Sequence, residues 1–225
     1  MQVIIAGRGK LANELLSELR VKPPLVIDAW SSEGNGFAPS IVVHAGSGRE
    51  LPTVLAHCAK TRSPLIELST GSQIGIADAF GFPVVLCPNT NILMLKFMAL
   101  MARSGDMFRD CKLRLTESHQ ASKASVPGTA VNLAASLGVH PRDIVSIRDP
   151  DIQRTTLAIA EADLLRHAFH QVLIEADGCT LKLESMVVGD RPYADGVARI
   201  IEATYDHQLE DRVYSVMEFV DAGWI

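Results

Sequence analysis

The sequence predicts an α/β protein in two parts: a helix-wrapped parallel sheet, then an α+β segment built on a mixed sheet. Three observations carry the prediction. Five short apolar runs before residue 88 are separated by Gly-rich turns or helical spacing, the pattern of parallel strands buried on both faces. A Gly-x-Gly-x-x-Ala turn directly follows the first run. After Pro88 the pattern changes to one long apolar helix and then to alternating segments joined by Asp177-Gly178, a hairpin turn pair.

Residues 3–6 form the first strand, and Leu11, Leu15, Leu16 and Leu19 follow at helical spacing. In the turn between them Gly7 permits the tight bend, Gly9 lets the backbone approach a pyrophosphate, and Ala12 lets helix and sheet pack closely. Lys10 and Leu11 open the helix whose N-terminal N–H groups would face the phosphates. The next strand, residues 25–28, ends on Asp28, where a carboxylate about 20 residues after the first glycine binds the adenosine ribose hydroxyls. Together these residues predict a Rossmann-type dinucleotide site rather than a merely structural strand-turn-helix. Asp28 would repel a 2′-phosphate and Ala29-Trp30-Ser31-Ser32 brings no Arg to receive one, so NADH is favoured over NADPH, with Arg8 and Lys10 the groups that would reach a phosphate.

Residues 41–44 form a third strand, and Ala45-Gly46-Ser47-Gly48-Arg49 a second Gly-rich turn entering a helix over 50–60. His44 reads as a packed strand end, and Trp30 as a surface aromatic or a plate along the adenine. Two further strands, 64–68 and 83–87, end at Ser69-Thr70-Gly71 and Pro88-Asn89-Thr90-Asn91. Those loops are expected to flank the nicotinamide ring.

In the second part, residues 92–104 form a helix with Met94, Phe97, Met98 and Met101 on its inward face. A strand over 112–116 delivers the chain into 117–130, where His119 and Lys123 stand four residues apart and Pro127-Gly128-Thr129 opens an apolar helix over 129–137. Acid, cation and exposed backbone N–H groups there could converge on one small anion, against the alternative of a solvated polar loop. Residues 146–188 read as β, with alternating segments at 155–162, 170–176 and 179–186; the face carrying Leu173, Leu181 and Leu183 is expected to pair between subunits. A helix over 194–203 follows, and the tail 214–225 folds back onto the first part. The expected domains are 1–90 with 205–225 for the dinucleotide, and 91–204 for substrate and oligomerisation.

Composition narrows the function. At 225 residues, 48% hydrophobic and 21% charged, with a net charge of -5, the chain has the make-up of an ordinary globular protein and no basic footprint for nucleic acid. Cys58, Cys87, Cys111 and Cys179 form no CxxC pair, which predicts free thiols in a reducing compartment and no metal site. His57, His140, His167, His170 and His207 show no ligand spacing either. No secretory signal pattern opens the sequence, and the longest apolar run, 92–102, is interrupted by Lys96 and too short for a bilayer. The expectation is a cytoplasmic enzyme or binding protein without a membrane partner.

On these residues the chain resembles the dihydrodipicolinate reductase (4-hydroxy-tetrahydrodipicolinate reductase) family. The family signature E-x-H-H-x-x-K-x-D-A-P-S-G-T appears as Glu117-Ser118-His119-Gln120-Ala121-Ser122-Lys123-Ala124-Ser125-Val126-Pro127-Gly128-Thr129. Ser69-Thr70-Gly71 stands where the family has G-T-T-G, Pro88-Asn89 precedes the matching helix, and the run Asp190-Arg191-Pro192-Tyr193-Ala194-Asp195-Gly196 echoes its entry into the last helix. The resemblance implies NAD(P)H-dependent reduction of 4-hydroxy-tetrahydrodipicolinate/dihydrodipicolinate to tetrahydrodipicolinate in lysine and diaminopimelate biosynthesis, by a homotetramer without a metal. Carried over by position, His119 is the general acid and Lys123 the substrate-binding cation, with Gln120, Gly128 and Thr129 around the cyclic dicarboxylate. Gly7, Gly9, Lys10, Leu11, Asp28, Ser69, Thr70, Gly71, Pro88 and Asn89 would contact the cofactor. Arg191 would either reach the substrate or serve a structural ion pair.

The chain also departs from the family. Gln120 replaces a second His, Ser125 replaces an Asp, the Ser between Pro127 and Gly128 is missing, the N-terminal turn is one residue shorter, and Arg148-Asp149-Pro150-Asp151 replaces a Gly-rich segment. Two alternatives therefore stand beside the family reaction: a paralogous reductase of another cyclic imine or enamine acid, and a dinucleotide-binding sensor or subunit.

Overall fold

The computed structural model describes residues 1–31, 36–69, 71–189 and 192–225. The chain divides into one unit of Met1–Leu95 with Tyr193–Ile225 and a second of Lys96–Pro192.

The first unit is built on six parallel strands: β1 (Gln2–Ala6), β2 (Val26–Ala29), β3 (Ile41–His44), β4 (Leu65–Glu67), β5 (Val84–Leu86) and β10 (Val213–Ser215), in the order β10-β5-β4-β3-β1-β2. β1 lies between β2 and β3, so the strand order reverses there; ligands of open parallel sheets bind at that point, beyond the strands' carboxyl ends. Strands β1 and β3 to β5 are mostly apolar and buried, the pattern of a parallel sheet covered on both faces. Helices α1 (Lys10–Glu18), α2 (Leu51–Thr61), α6 (Ala194–Asp206) and α7 (Val216–Asp221) complete the unit. Val54 and Cys58 of α2 pack with Val42, Leu65, Val84 and Val213 in one core. The tail joins the sheet, with β10 registered on β5 and a Ser215–Glu218 capping box starting α7. The division between the units falls inside α3 (Ile92–Ser104), in which Met94, Met98 and Met101 are buried as expected and Phe97 is half-buried.

The second unit carries a mixed sheet in the order β7-β6-β8-β9: β6 (Lys112–His119), β7 (Val145–Ile147), β8 (Ala168–Ala176) and β9 (Cys179–Val187). β6, β8 and β9 run antiparallel around the predicted Asp177-Gly178 hairpin, and β7 pairs parallel to β6. α4 (Gly128–Leu137) ends on Gly138 in the left-handed conformation at φ 69°.

Three expectations are corrected. The strand expected over 155–162 is not formed: α5 (Pro150–Thr155) occupies its start, because Asp149 accepts the Asp151 N–H and Pro150 sits at the first helical position. The strand before the site runs on to His119 rather than ending at residue 116. Leu173 does not share a face with Leu181 and Leu183; it pairs with Lys182, whereas the two leucines pair with Ile174 and Val172.

Candidate functional site

The predicted cofactor residues of the first unit lie at the carboxyl ends of β1, β2, β4 and β5. Gly7 has φ +145°, and a Cβ on it would stand 2.6 Å from the Ala45 carbonyl oxygen; only glycine lets these two turns approach so closely. Gly9 caps α1 without a side-chain bond, and a Cβ placed on it meets nothing within 4 Å. Lys10 and Leu11 form the first turn of α1, whose N–H groups are thus presented beside open space, while Ala12 is fully buried against the sheet. Asp28 is exposed in β2 opposite Ile4, with Oδ1 accepting the Ala29 N–H at 2.8 Å. These residues fit a dinucleotide: a Cβ-free cradle, an uncapped helix end and a carboxylate on the neighbouring strand.

Other sequence expectations change in detail. The Ser69 amide and hydroxyl both donate to Glu67 Oε1, so its hydroxyl proton is already committed. Gly71 is exposed, Pro88 exposed and Asn89 half-buried, with Asn89 Oδ1 accepting the Asn91 N–H at 2.9 Å ahead of α3. Thr70, Ser32, Asp190 and Arg191 lie outside the described residues. Trp30 packs on the first unit's core and meets His57 edge-on at 5.3 Å.

In the second unit the signature stretch begins on a strand and ends on a helix. His119, the last residue of β6, donates through Nδ1 to Glu117 Oε2 at 2.7 Å. Glu117 is fully buried and is clamped by Arg148, which donates from Nη2 to Oε1 at 2.6 Å and from Nη1 to Oε2 at 3.1 Å. Burial alone would raise the Glu117 carboxyl, but hydrogen bonds from His119, Arg148 and Ser146 outweigh it and bring the group down to about 2. Arg148 also donates from Nε to the Lys123 carbonyl at 2.9 Å, so one guanidinium supports both the carboxylate behind His119 and the turn that carries Lys123. Gln153, fully buried on α5, donates to the His119 carbonyl at 2.8 Å.

Two of the histidines that show no ligand spacing in the sequence, His167 and His170, are buried beside His119. The His170 ring lies edge-on at 5.6 Å and has no hydrogen-bond partner on either nitrogen; burial, with His119 adding and Glu117 opposing, pushes its imidazole down to about 4. The His167 ring stacks at 6.5 Å, with Nε2 3.0 Å from Ser118 Oγ.

Lys123 is half-buried, Gln120 half-buried and Ser125 exposed. Pro127 caps α4 without a side-chain bond, and Gly128 leaves open space where a Cβ would be, so the helix end stays accessible to an anion beside Thr129. Glu117 entered the sequence reading only as the first letter of the signature, and Arg148 only as a departure from it. The signal available for both was a lone acid two residues before His119 and a basic residue in place of glycine. Among the described residues no three His, Cys, Asp or Glu side chains are arranged to hold a metal ion, and no helix is long and apolar enough to cross a membrane.

Known proteins resemble the chain in sequence and in fold. A protein of Oryza sativa subsp. japonica named as a probable chloroplastic 4-hydroxy-tetrahydrodipicolinate reductase is 31% identical over 153 residues, covering 62% of this chain and 45% of its own length. The chloroplastic 4-hydroxy-tetrahydrodipicolinate reductase 2 of Arabidopsis thaliana is 28% identical over 153 residues, covering 62% of this chain and 44% of its own. Over this stretch the chain is similar in sequence to 4-hydroxy-tetrahydrodipicolinate reductases. A dipicolinate-bound dihydrodipicolinate reductase from Paenisporosarcina sp. TG-14 shares its fold with this chain, at a TM-score of 0.66 and 15% identity over 96% of this chain and 97% of that one. The chain spans about half the length of the curated reductases it matches, and no family model matches it.

Proposed function

We propose that the chain is an NAD(P)H-dependent reductase of dihydrodipicolinate type, acting on 4-hydroxy-tetrahydrodipicolinate/dihydrodipicolinate, with His119 as general acid and Lys123 as the substrate-binding cation. The single observation that carries this reading is the His119–Glu117–Arg148 arrangement, in which Arg148, just after β7, clamps the first residue of the signature stretch. When bound, the dinucleotide supplies a hydride to one carbon of the conjugated substrate, which leaves negative charge at the far end of the reduced double bond.

His119 supplies the proton that completes the reduction. Its Nδ1 is held by Glu117, so Nε2 is the nitrogen left to deliver it. The Lys123 ammonium offsets the charge, and the Gly128 and Thr129 N–H groups at the start of α4 take a substrate carboxylate. Asp28, exposed on β2, supports NADH over NADPH. Assembly through the second sheet, to a homotetramer, belongs to the same proposal; β9 is its edge strand, and Leu181 on it is 41% exposed. A sensor would have no use for an acid clamped by a buried carboxylate, which weighs against that alternative. Reduction of a different cyclic imine or enamine acid is favoured only by the replaced positions Gln120 and Ser125.

The test is turnover of substrate generated in place from pyruvate and aspartate semialdehyde by the preceding synthase, followed by loss of NADH or NADPH absorbance. His119→Ala should lower kcat about 100-fold or more, and Lys123→Ala should raise KM as well as lower kcat. Turnover unchanged in both variants would overturn the assignment.

A further inference from the structure

Beneath the candidate dinucleotide turns lies a buried His–Glu pair to which the reductase reading gives no role. His44 ends β3 with no exposed surface and donates through Nδ1 to Glu67 Oε2 at 2.7 Å. Glu67 ends β4 at 1% exposure, and its other oxygen accepts the Ser69 amide at 2.8 Å and the Ser69 hydroxyl. On its far side His44 Nε2 has no hydrogen-bond partner and lies 2.7 Å from where a Cβ on Gly46 would stand. Glu50 Oε2, also buried without a partner, lies 2.9 Å from the same point. The Gly46 backbone therefore rests on the edge of the imidazole. The peptide before it is pinned from the other side, with the Ala45 N–H donating to the Ala6 carbonyl at 2.7 Å and the Ala45 carbonyl closed against Gly7.

Strand ends filled for stability alone take apolar side chains, because unsatisfied buried polar atoms are destabilising. Here a His–Glu pair fixes the turns after β3 and β4, next to the strand whose turn carries Gly7. We infer that His44 and Glu67 are positioning residues for the dinucleotide, holding the Gly46 and Ser69 turns in the conformation that receives it. The inference rests on the reading of the first unit as an NAD(P)H site.

The test measures dissociation constants for NADH and NADPH by nicotinamide fluorescence, below the melting temperature of each ligand-free variant. His44→Phe keeps a ring of similar volume and removes the bond to Glu67; it should weaken binding about tenfold, the effect of one net hydrogen bond. His44→Gln restores a donor and should recover most of the affinity. Should His44→Phe fail to fold, Glu67→Gln decides, since an amide cannot accept at both of its ends, and the same tenfold loss is expected. Wild-type binding with unchanged constants in the folded variants overturns the inference alone. A wild type that binds neither dinucleotide overturns it together with the cofactor reading.

Discussion

At the residue scale the site pairs a carboxylate, Glu117, made strongly acidic by its partners, with a neighbour, His170, whose imidazole burial pushes down. The Glu117 carboxyl falls from 4.5 to about 2 in the fold, so its stabilising contribution is complete above pH 4.5 and is lost as pH drops from 4.5 towards 2. The His170 imidazole falls from 6.5 to about 4, so its contribution is lost earlier, as pH drops from 6.5 to 4. Each is worth roughly 3 kcal/mol. Urea midpoints of the wild type should therefore decline from about pH 6.5 downward, and His170→Phe should flatten the profile between 6.5 and 4.5. A variant profile parallel to the wild type would show that His170 is not the group that titrates. Glu117→Gln keeps the shape of the side chain but not its charge, and should lower kcat about tenfold or more with a smaller change in KM. His119 and Lys123 were legible in the sequence because they sit four residues apart in one motif. The Arg148 clamp was not, because its partner is 31 residues away and only the sheet pairing of β6 with β7 brings the two together.

At the scale of elements, most strands and helices could be read from periodicity, and the errors have local causes. The segment at 155–162 alternates like a strand, but an Asp149 cap followed by Pro150 starts a helix just before it. Periodicity also cannot show where backbones touch. Gly196 on α6 would place a Cβ 1.7 Å from the Thr90 carbonyl, and Gly105 would place one 2.2 Å from the Ser136 carbonyl. Gly196→Ala should accordingly destabilise the protein by about 2 kcal/mol or more, read as a lowered urea midpoint. Asp149→Ala, which removes the cap of α5, should cost about 1 kcal/mol. An unchanged midpoint for Gly196→Ala would contradict the close packing of α6 on the Thr90 turn.

At the scale of the whole molecule, the sequence signalled both units through composition of the strands: continuous apolar runs for the parallel sheet and alternation for the mixed one. Cofactor binding stabilises a folded protein by mass action, so NADH at a hundredfold excess over its dissociation constant should add about 2.7 kcal/mol. For a chain of this size that raises the melting temperature by about 5–10 °C. No shift with either dinucleotide would exclude the cofactor reading whatever the substrate. The central claim, reduction of the family substrate, is tested most directly by adding the chain to the synthase reaction that joins pyruvate and aspartate semialdehyde, and following NADH and NADPH absorbance in parallel. Oxidation that depends on the synthase product, faster with NADH and abolished in His119→Ala, is the predicted result; tight dinucleotide binding with no oxidation of either cofactor would contradict it.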